Sequence, residues 1–311
     1  MLPILSLIAI GFVLDRKFKL DVKTLSKIIF FLVMPSFVFK NVYLTTFPSS
    51  TGSILSCALA LFFINGVIAT LVGKFRHYDQ SMIEAFRNGT MFNNSANLGV
   101  ALIILVFTHD PFLVNGEPVY LAEAMIAQII LMVFQNITLN TVGLFQAGRG
   151  QLAAIDAIRI VLRMPIIYVL VAVFTIKYFQ IDATQFFFWP IMERAGEALL
   201  PLAMCSIGIQ LSRTKIIWLD PNVWLTTVMK LIITPLIALC LIYGSGTFTP
   251  VTAQVFLIYS AIPTAVNTAL FAIELNNCPE FATQVVMNTT VLSSITLTFF
   301  IFFASILFPA G

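Results

Sequence analysis

The sequence predicts an all-α polytopic membrane protein: ten transmembrane helices, forming two inverted five-helix repeats in which helices four and nine are broken and crossed. Three observations carry this reading. Of 311 residues, 59% are AVILMFWYC and only 10% are charged, against roughly 25% charged in soluble globular domains. The apolar residues gather into stretches close to the ~20 residues that a bilayer-spanning helix requires. The irregular positions of the first half recur, in the same order, in the second.

Apolar stretches bounded by charged or turn residues place the helices at 1–14, 25–46, 52–73, 82–108, 119–146, 157–178, 186–211, 222–243, 251–274 and 281–308. The first stops early, because Asp15, Arg16 and Lys17 follow it. At 1.5 Å per residue it spans about 21 Å of a hydrocarbon core of about 30 Å. Basic residues follow this stretch and none precedes it, so it reads as an anchor with a translocated amino end and not as a signal peptide. No stretch is left over for a soluble catalytic domain.

Basic residues set the orientation, since short cytoplasmic loops hold positive charge. Arg16, Lys17, Lys19, Lys23 and Lys27 flank the first connection, and Lys74, Arg76 and Arg87 the third. Arg149, Arg159 and Arg163 follow helix five, and Arg213 and Lys215 follow helix seven. The opposite loops hold only Lys40 and Lys177. Both termini are therefore expected outside a plasma (inner) membrane that the chain crosses many times. The net charge of +3 reports this topology and no nucleic-acid partner. Cys57, Cys205, Cys240 and Cys278 show no paired spacing, so neither a disulfide framework nor a zinc site is expected.

Residues 1–146 form the first repeat and residues 147–311 the second. Helix two is interrupted around Pro35 and helix seven around Pro201; helix four carries "MFNNSANLG" and helix nine "SAIPTAVN". Five helices per repeat is odd, so the second half enters the membrane upside down, as in many secondary transporters. Asn93, Asn94, Ser95, Asn97 and Gly99, with Pro263, Thr264 and Asn267, sit at mid-span, where asparagine and proline disfavour helix. Unwound backbone at that depth must be satisfied by protein or by a water-filled cavity. Two broken helices bring half-helix amino ends together and polarise the site positively without net charge. Interhelical hydrogen bonding is the other use of such asparagines; the matched pair favours a binding site.

The strings "LSKIIFFLVMPSFVFKNV", "FNNSANLGVAL", "ALLPLAMCSIGIQLS", "KLIITPLIAL" and "AIPTAVNTALFAIEL", in this order, resemble the auxin efflux carrier family, within the group that also holds bile-acid/sodium symporters. The resemblance runs through nearly all of the chain. It implies a scaffold of helices one, two, six and seven and a transport bundle of helices three to five and eight to ten. It places the substrate site at the crossing, on Asn94, Asn97, Pro263 and Asn267. Helix four departs from many relatives in having a run of asparagines and no proline at its break.

Further polar residues extend the candidate site. Gln128, Gln135 and Asn136 in helix five, and Gln284, Asn288 and Thr289 in helix ten, either line the crossing or glue the bundle; Asn93 and Thr264 belong to the crossing motifs themselves. Ser36, beside Pro35, offers a hydroxyl to the substrate or to a freed carbonyl, as does Ser206 one turn past Pro201. Lys230 lies about eight residues into helix eight, about 12 Å deep, and is expected to snorkel to the interface. Glu193, Arg194 and Glu197 read as a solvated interfacial cluster.

The expected function is secondary transport of small organic anions, carboxylates, by alternating access of elevator type. A sodium-coupled symporter of the bile-acid type, or a passive channel or receptor on the same scaffold, are the alternatives. The expected partners are a small carboxylate substrate, a coupling proton or sodium, the lipid bilayer, and a second copy of the chain. That homodimer would form through the scaffold helices, where Ala203, Ser206 and Gly208 permit close approach. No GxxxxGK[ST] and no HExxH occur, and His77 and His109 are the only histidines, so no enzyme activity, no metal and no cofactor are expected.

Overall fold

The computed structural model describes residues 2–44, 51–148, 165–213 and 220–309. In chain order the helices are α1 Leu2–Phe18, α2 Val22–Ile28, α3 Met34–Leu44, α4 Thr51–Phe75, α5 Gln80–Met91, α6 Val100–Phe107, α7 Leu121–Thr138 and α8 Leu144–Ala147. They continue as α9 Pro165–Tyr178, α10 Trp189–Glu197, α11 Leu199–Arg213, α12 Pro221–Val228, α13 Thr234–Ser245, α14 Pro250–Ala261, α15 Val266–Glu274 and α16 Pro279–Leu307. Among the described residues the remaining pairing is two isolated β-bridges. Arg149, Arg159, Arg163, Lys215 and the start of the sixth predicted helix lie outside the described residues.

Among the described residues, four continuous helical stretches are long and apolar enough to cross a membrane: Thr51–Phe75, Leu121–Ala147, Pro221–Ser245 and Pro279–Leu307. The chain is wound one residue wider in four π-turns among the described residues, Ile29–Val33, Ser95–Gly99, Leu139–Gly143 and Met229–Ile233, the last two within these stretches. Two of these lead directly to a proline, Pro35 and Pro235. Proline lacks the N–H that would meet the carbonyl four residues earlier, and the wider turn accommodates that loss. Beside each proline a hydroxyl takes up a carbonyl of the disturbed turn. Ser36 donates to Leu32 O at 2.7 Å, and Thr234 to Met229 O at 3.0 Å.

The contacts divide the chain into two units. The first comprises Met1–Phe47 and Leu162–Thr214. In it α1 and α11 touch at Gly11, where any Cβ would run into the backbone of Cys205. Helix α1 does not stop at Leu14 but continues to Phe18. Asp15, which had marked its end, is buried against α11, accepting from Arg213 Nε at 3.0 Å and from the Ser212 hydroxyl. Lys40 pairs with Glu193 at 2.7 Å, and Arg194 pairs with Glu197 on the exposed side of α10. Ser206 and Gly208 are buried.

The second unit comprises Pro48–Val161 and Lys215–Gly311. Phe86, Val223 and Val285 pack at one level, and Phe62, Phe92 and Leu139 at another. Three of its helix starts are closed by side chains. Asp79 accepts from Met82 N, Asp220 from Asn222 N and Thr249 from Thr252 N, each meeting one of the orphan donors of a helix amino end.

Candidate functional site: two broken helices that cross

Helix α5 ends at Met91 and helical winding resumes at Ser95; α14 ends at Ala261 and winding resumes at Val266. The chain between is extended at Phe92, Ile262 and Ala265. The two extended segments lie antiparallel, with Asn93 opposite Thr264. They exchange backbone hydrogen bonds, Asn94 N to Pro263 O at 2.8 Å and Ala265 N to Phe92 O at 3.0 Å. Where the helices give up their own ladders, they form a single rung of sheet together.

Breaking a helix frees the carbonyls of its last turn, and side chains meet three of them here. Pro263 has no N–H for Tyr259 O, which accepts from Ile262 N at 3.3 Å and from Asn93 Nδ2 at 2.9 Å. The Gly89 carbonyl receives the Thr264 hydroxyl at 2.6 Å. The Thr90 carbonyl receives Lys230 Nζ at 3.3 Å, and the same ammonium donates to Asn93 Oδ1. Thr264 N–H goes to Thr289 Oγ1 at 3.2 Å. Gln128 Nε2 holds the start of the resumed winding, donating to Ser95 Oγ at 3.0 Å and Ser95 O at 3.2 Å. Gly99 leaves room for that amide, since a Cβ there would lie 2.5 Å from Gln128 Nε2.

The helix starts at the crossing carry no side-chain cap. Asn94 precedes one and Ala265 the other. A helix amino end carries partial positive charge and N–H groups aimed outward, which favours anions. Asn94 is buried, and its Nδ2 has no hydrogen-bond partner.

Lys230 corrects two expectations. It does not snorkel: it is 0% exposed and points from the π-turn Met229–Ile233 into the crossing. The crossing is therefore not free of net charge, because a third helix brings a cation to it. Nothing in either asparagine motif announces this, although a lysine in an apolar run after threonines and before "ITP" is itself the signal.

The remaining predicted residues divide clearly. Pro263 is buried and gives its carbonyl to Asn94; Asn267 is half-buried in the first turn of α15. Asn97 lies in the π-turn Ser95–Gly99, and its side chain lies outside what is described. Gln135 is buried and accepts the Tyr259 hydroxyl at 2.5 Å. Asn136, half-buried, gives its carbonyl to Asn140 Nδ2 at 2.8 Å. Ser36 belongs to the first unit and the others to the second, so the two are not brought together within one unit. On α16, Asn288 is fully buried with neither amide atom partnered. Among the described residues no three His, Cys, Asp or Glu side chains gather.

Residues 157–301 match the family model described as membrane transport protein. That range includes the ninth-helix motif and Lys230 but not the asparagine run of helix four. No curated protein matches the chain.

Proposed function

We propose that the chain, whose residues 157–301 match the family model described as membrane transport protein, is a multi-pass secondary carrier of small organic anions, carboxylates, with the substrate bound at the crossing. The observation that carries the proposal is the pair of uncapped helix starts, Asn94 and Ala265, next to the buried, unpartnered Nδ2 of Asn94. Asn93 bonds Lys230 and the Tyr259 carbonyl, while the next residue, Asn94, adjoins the resumed helix start with its Nδ2 unpartnered. The proposed contacts are Asn94, Asn97, Pro263 and Asn267, and Lys230 supplies positive potential from behind Asn93.

Alternating access of elevator type is proposed with unit two as the moving body; its support is that each unit gathers its own contacts from two separated stretches of chain. Ten spans, inverted repeats, a plasma-membrane location and outward termini complete the reading. The test is flux in proteoliposomes with labelled small carboxylates. Saturable uptake with counterflow is expected, whereas non-saturating conductance would replace the carrier with a pore. Asn94→Ala and Asn267→Ala should each weaken substrate binding by about 1–3 kcal/mol, as for a lost hydrogen bond to a charged partner. Unchanged affinity in both, with folding intact, refutes the site.

A further inference from the structure

Arg213 is matched by Asp15, Arg87 by Glu84 at 2.9 Å and Lys40 by Glu193 at 2.7 Å. Lys230 has no carboxylate partner among the described residues, although it is the most deeply buried of the four cations. Its two hydrogen bonds go to neutral oxygens, Thr90 O at 3.3 Å and Asn93 Oδ1. A buried charge without a counter-charge is unfavourable, so the charge has to be either balanced or given up.

The neighbours of Lys230 do not balance it. The Met229–Ile233 turn that carries it packs against α5, α12, α13, α14 and α16. Glu84 and Arg87 on α5 are spent on each other, and Tyr259 on α14 gives its hydroxyl to Gln135 at 2.5 Å. Cys240 and Tyr243 on α13 and Glu280 on α16 are exposed. Helix α12 has no titratable side chain, and Asp220 before it accepts from Asn222 N.

The substrate position proposed at Asn94 is one residue from Asn93, which holds the lysine. Consecutive Cα atoms are about 3.8 Å apart, so a carboxylate at Asn94 lies on the order of 10 Å from Nζ. At an effective dielectric of about 20, opposite charges at that separation favour each other roughly tenfold. An ammonium that gives up one of its three N–H protons keeps two, one each for Asn93 Oδ1 and Thr90 O, so both forms fit the crossing. Arginine would stay charged at all times, whereas a buried lysine exchanges its proton.

We propose that Lys230 carries the coupling proton of the carrier: as a carboxylate arrives, one proton from the water on the open side converts the amine to the ammonium, and both leave together on the other side. Empty, or loaded with a monocarboxylate, the crossing then has no net charge, which avoids carrying one through hydrocarbon. The assignment rests on the carboxylate-carrier reading and gives the coupling to a proton and not to sodium.

Binding of benzoate and of succinate to the purified full chain in detergent is measured by titration calorimetry from about pH 7 to about pH 9, in buffers of high and low ionisation enthalpy, with sodium or potassium as the cation. The difference in heat between buffers counts the protons taken up. Wild type should take up close to one proton per carboxylate at the alkaline end. Because the loaded state holds more protons, its affinity should fall as pH rises, by at most about tenfold per unit, equally in sodium and in potassium. Lys230→Arg keeps the charge without the exchange and should bind with neither proton uptake nor this slope. Lys230→Met should bind about tenfold more weakly than wild type at the lower pH, also without uptake. If one variant does not fold, the other and the wild-type proton count still decide. No proton taken up by wild type, uptake persisting in either variant, or binding that requires sodium would each overturn the assignment and leave the carboxylate reading standing. Failure of both acids to bind at any pH would remove that reading and the assignment with it.

Discussion

Asn93 joins two parts of the crossing: its Nδ2 donates to the Tyr259 carbonyl beside the Ile262 N–H, and its Oδ1 accepts from Lys230. Removing it strands a buried ammonium on a single carbonyl. Asn93→Ala should therefore destabilise the protein by about 3–5 kcal/mol, the usual cost of leaving a buried charge uncompensated. Adding Lys230→Met should recover part of that loss, and the double-mutant cycle by thermal unfolding measures how much. Purely additive losses would mean that the two side chains act independently. Asp15 gives a second prediction. Arg213 and Ser212 both donate to its carboxylate, which favours the charged form. A carboxylate with a depressed folded value stabilises at pH above its unfolded value and loses this as pH falls through its folded value. The α1–α11 contact should be insensitive to pH between 5 and 8 and should loosen as pH falls below about 4. Asp15→Asn should loosen it at pH 7 and abolish the acid response, as read by hydrogen exchange of α1.

At the scale of elements, proline and π-turn act together. Pro235 follows the π-turn Met229–Ile233 that carries Lys230, and the extra residue in that turn sets the direction of everything before it. Pro235→Ala permits an ordinary turn, which would rotate Lys230 away from Asn93; transport should fall more than expression does. Pro35 and Pro201 should behave alike, and full transport in the Pro35→Ala/Pro201→Ala double variant would show that their interruptions are dispensable. This coupling also explains what the sequence disclosed. Helix positions and the unwound motifs were legible because apolar length and the helix-breaking chemistry of Asn and Pro are local. The end of α1 was not, because Asp15 is neutralised by Arg213, a residue nearly two hundred positions away. The role of Lys230 was not, because depth along a helix says nothing of the face, and a π-turn shifts the face. The engagement of Asn93, Thr264 and Gln135 inside the protein was equally hidden, since it depends on which carbonyls the breaks set free.

For the whole molecule, each unit joins a stretch from the first half of the chain to one from the second, and unit two contains both broken helices. Two inverted halves that contribute equivalent helices to each body give that division without further assumption. They also tie the orientation to the number of spans, because an odd number per half reverses the second. The loops then alternate. With both termini outside, Lys74 and Asp220 face the cytoplasm, and Asn115 and Thr247 face the exterior, as the placing of basic residues requires. In a cysteine-free background, Lys74→Cys and Asp220→Cys should react with a membrane-impermeant maleimide only after the inner face is opened. Asn115→Cys and Thr247→Cys should react on intact cells. Reversed labelling at all four positions would overturn the orientation and leave the count intact, since every loop would have changed sides together. Labelling of Lys74→Cys and Asn115→Cys from the same side would overturn the count itself, because the broken helix between them would then enter and return without crossing.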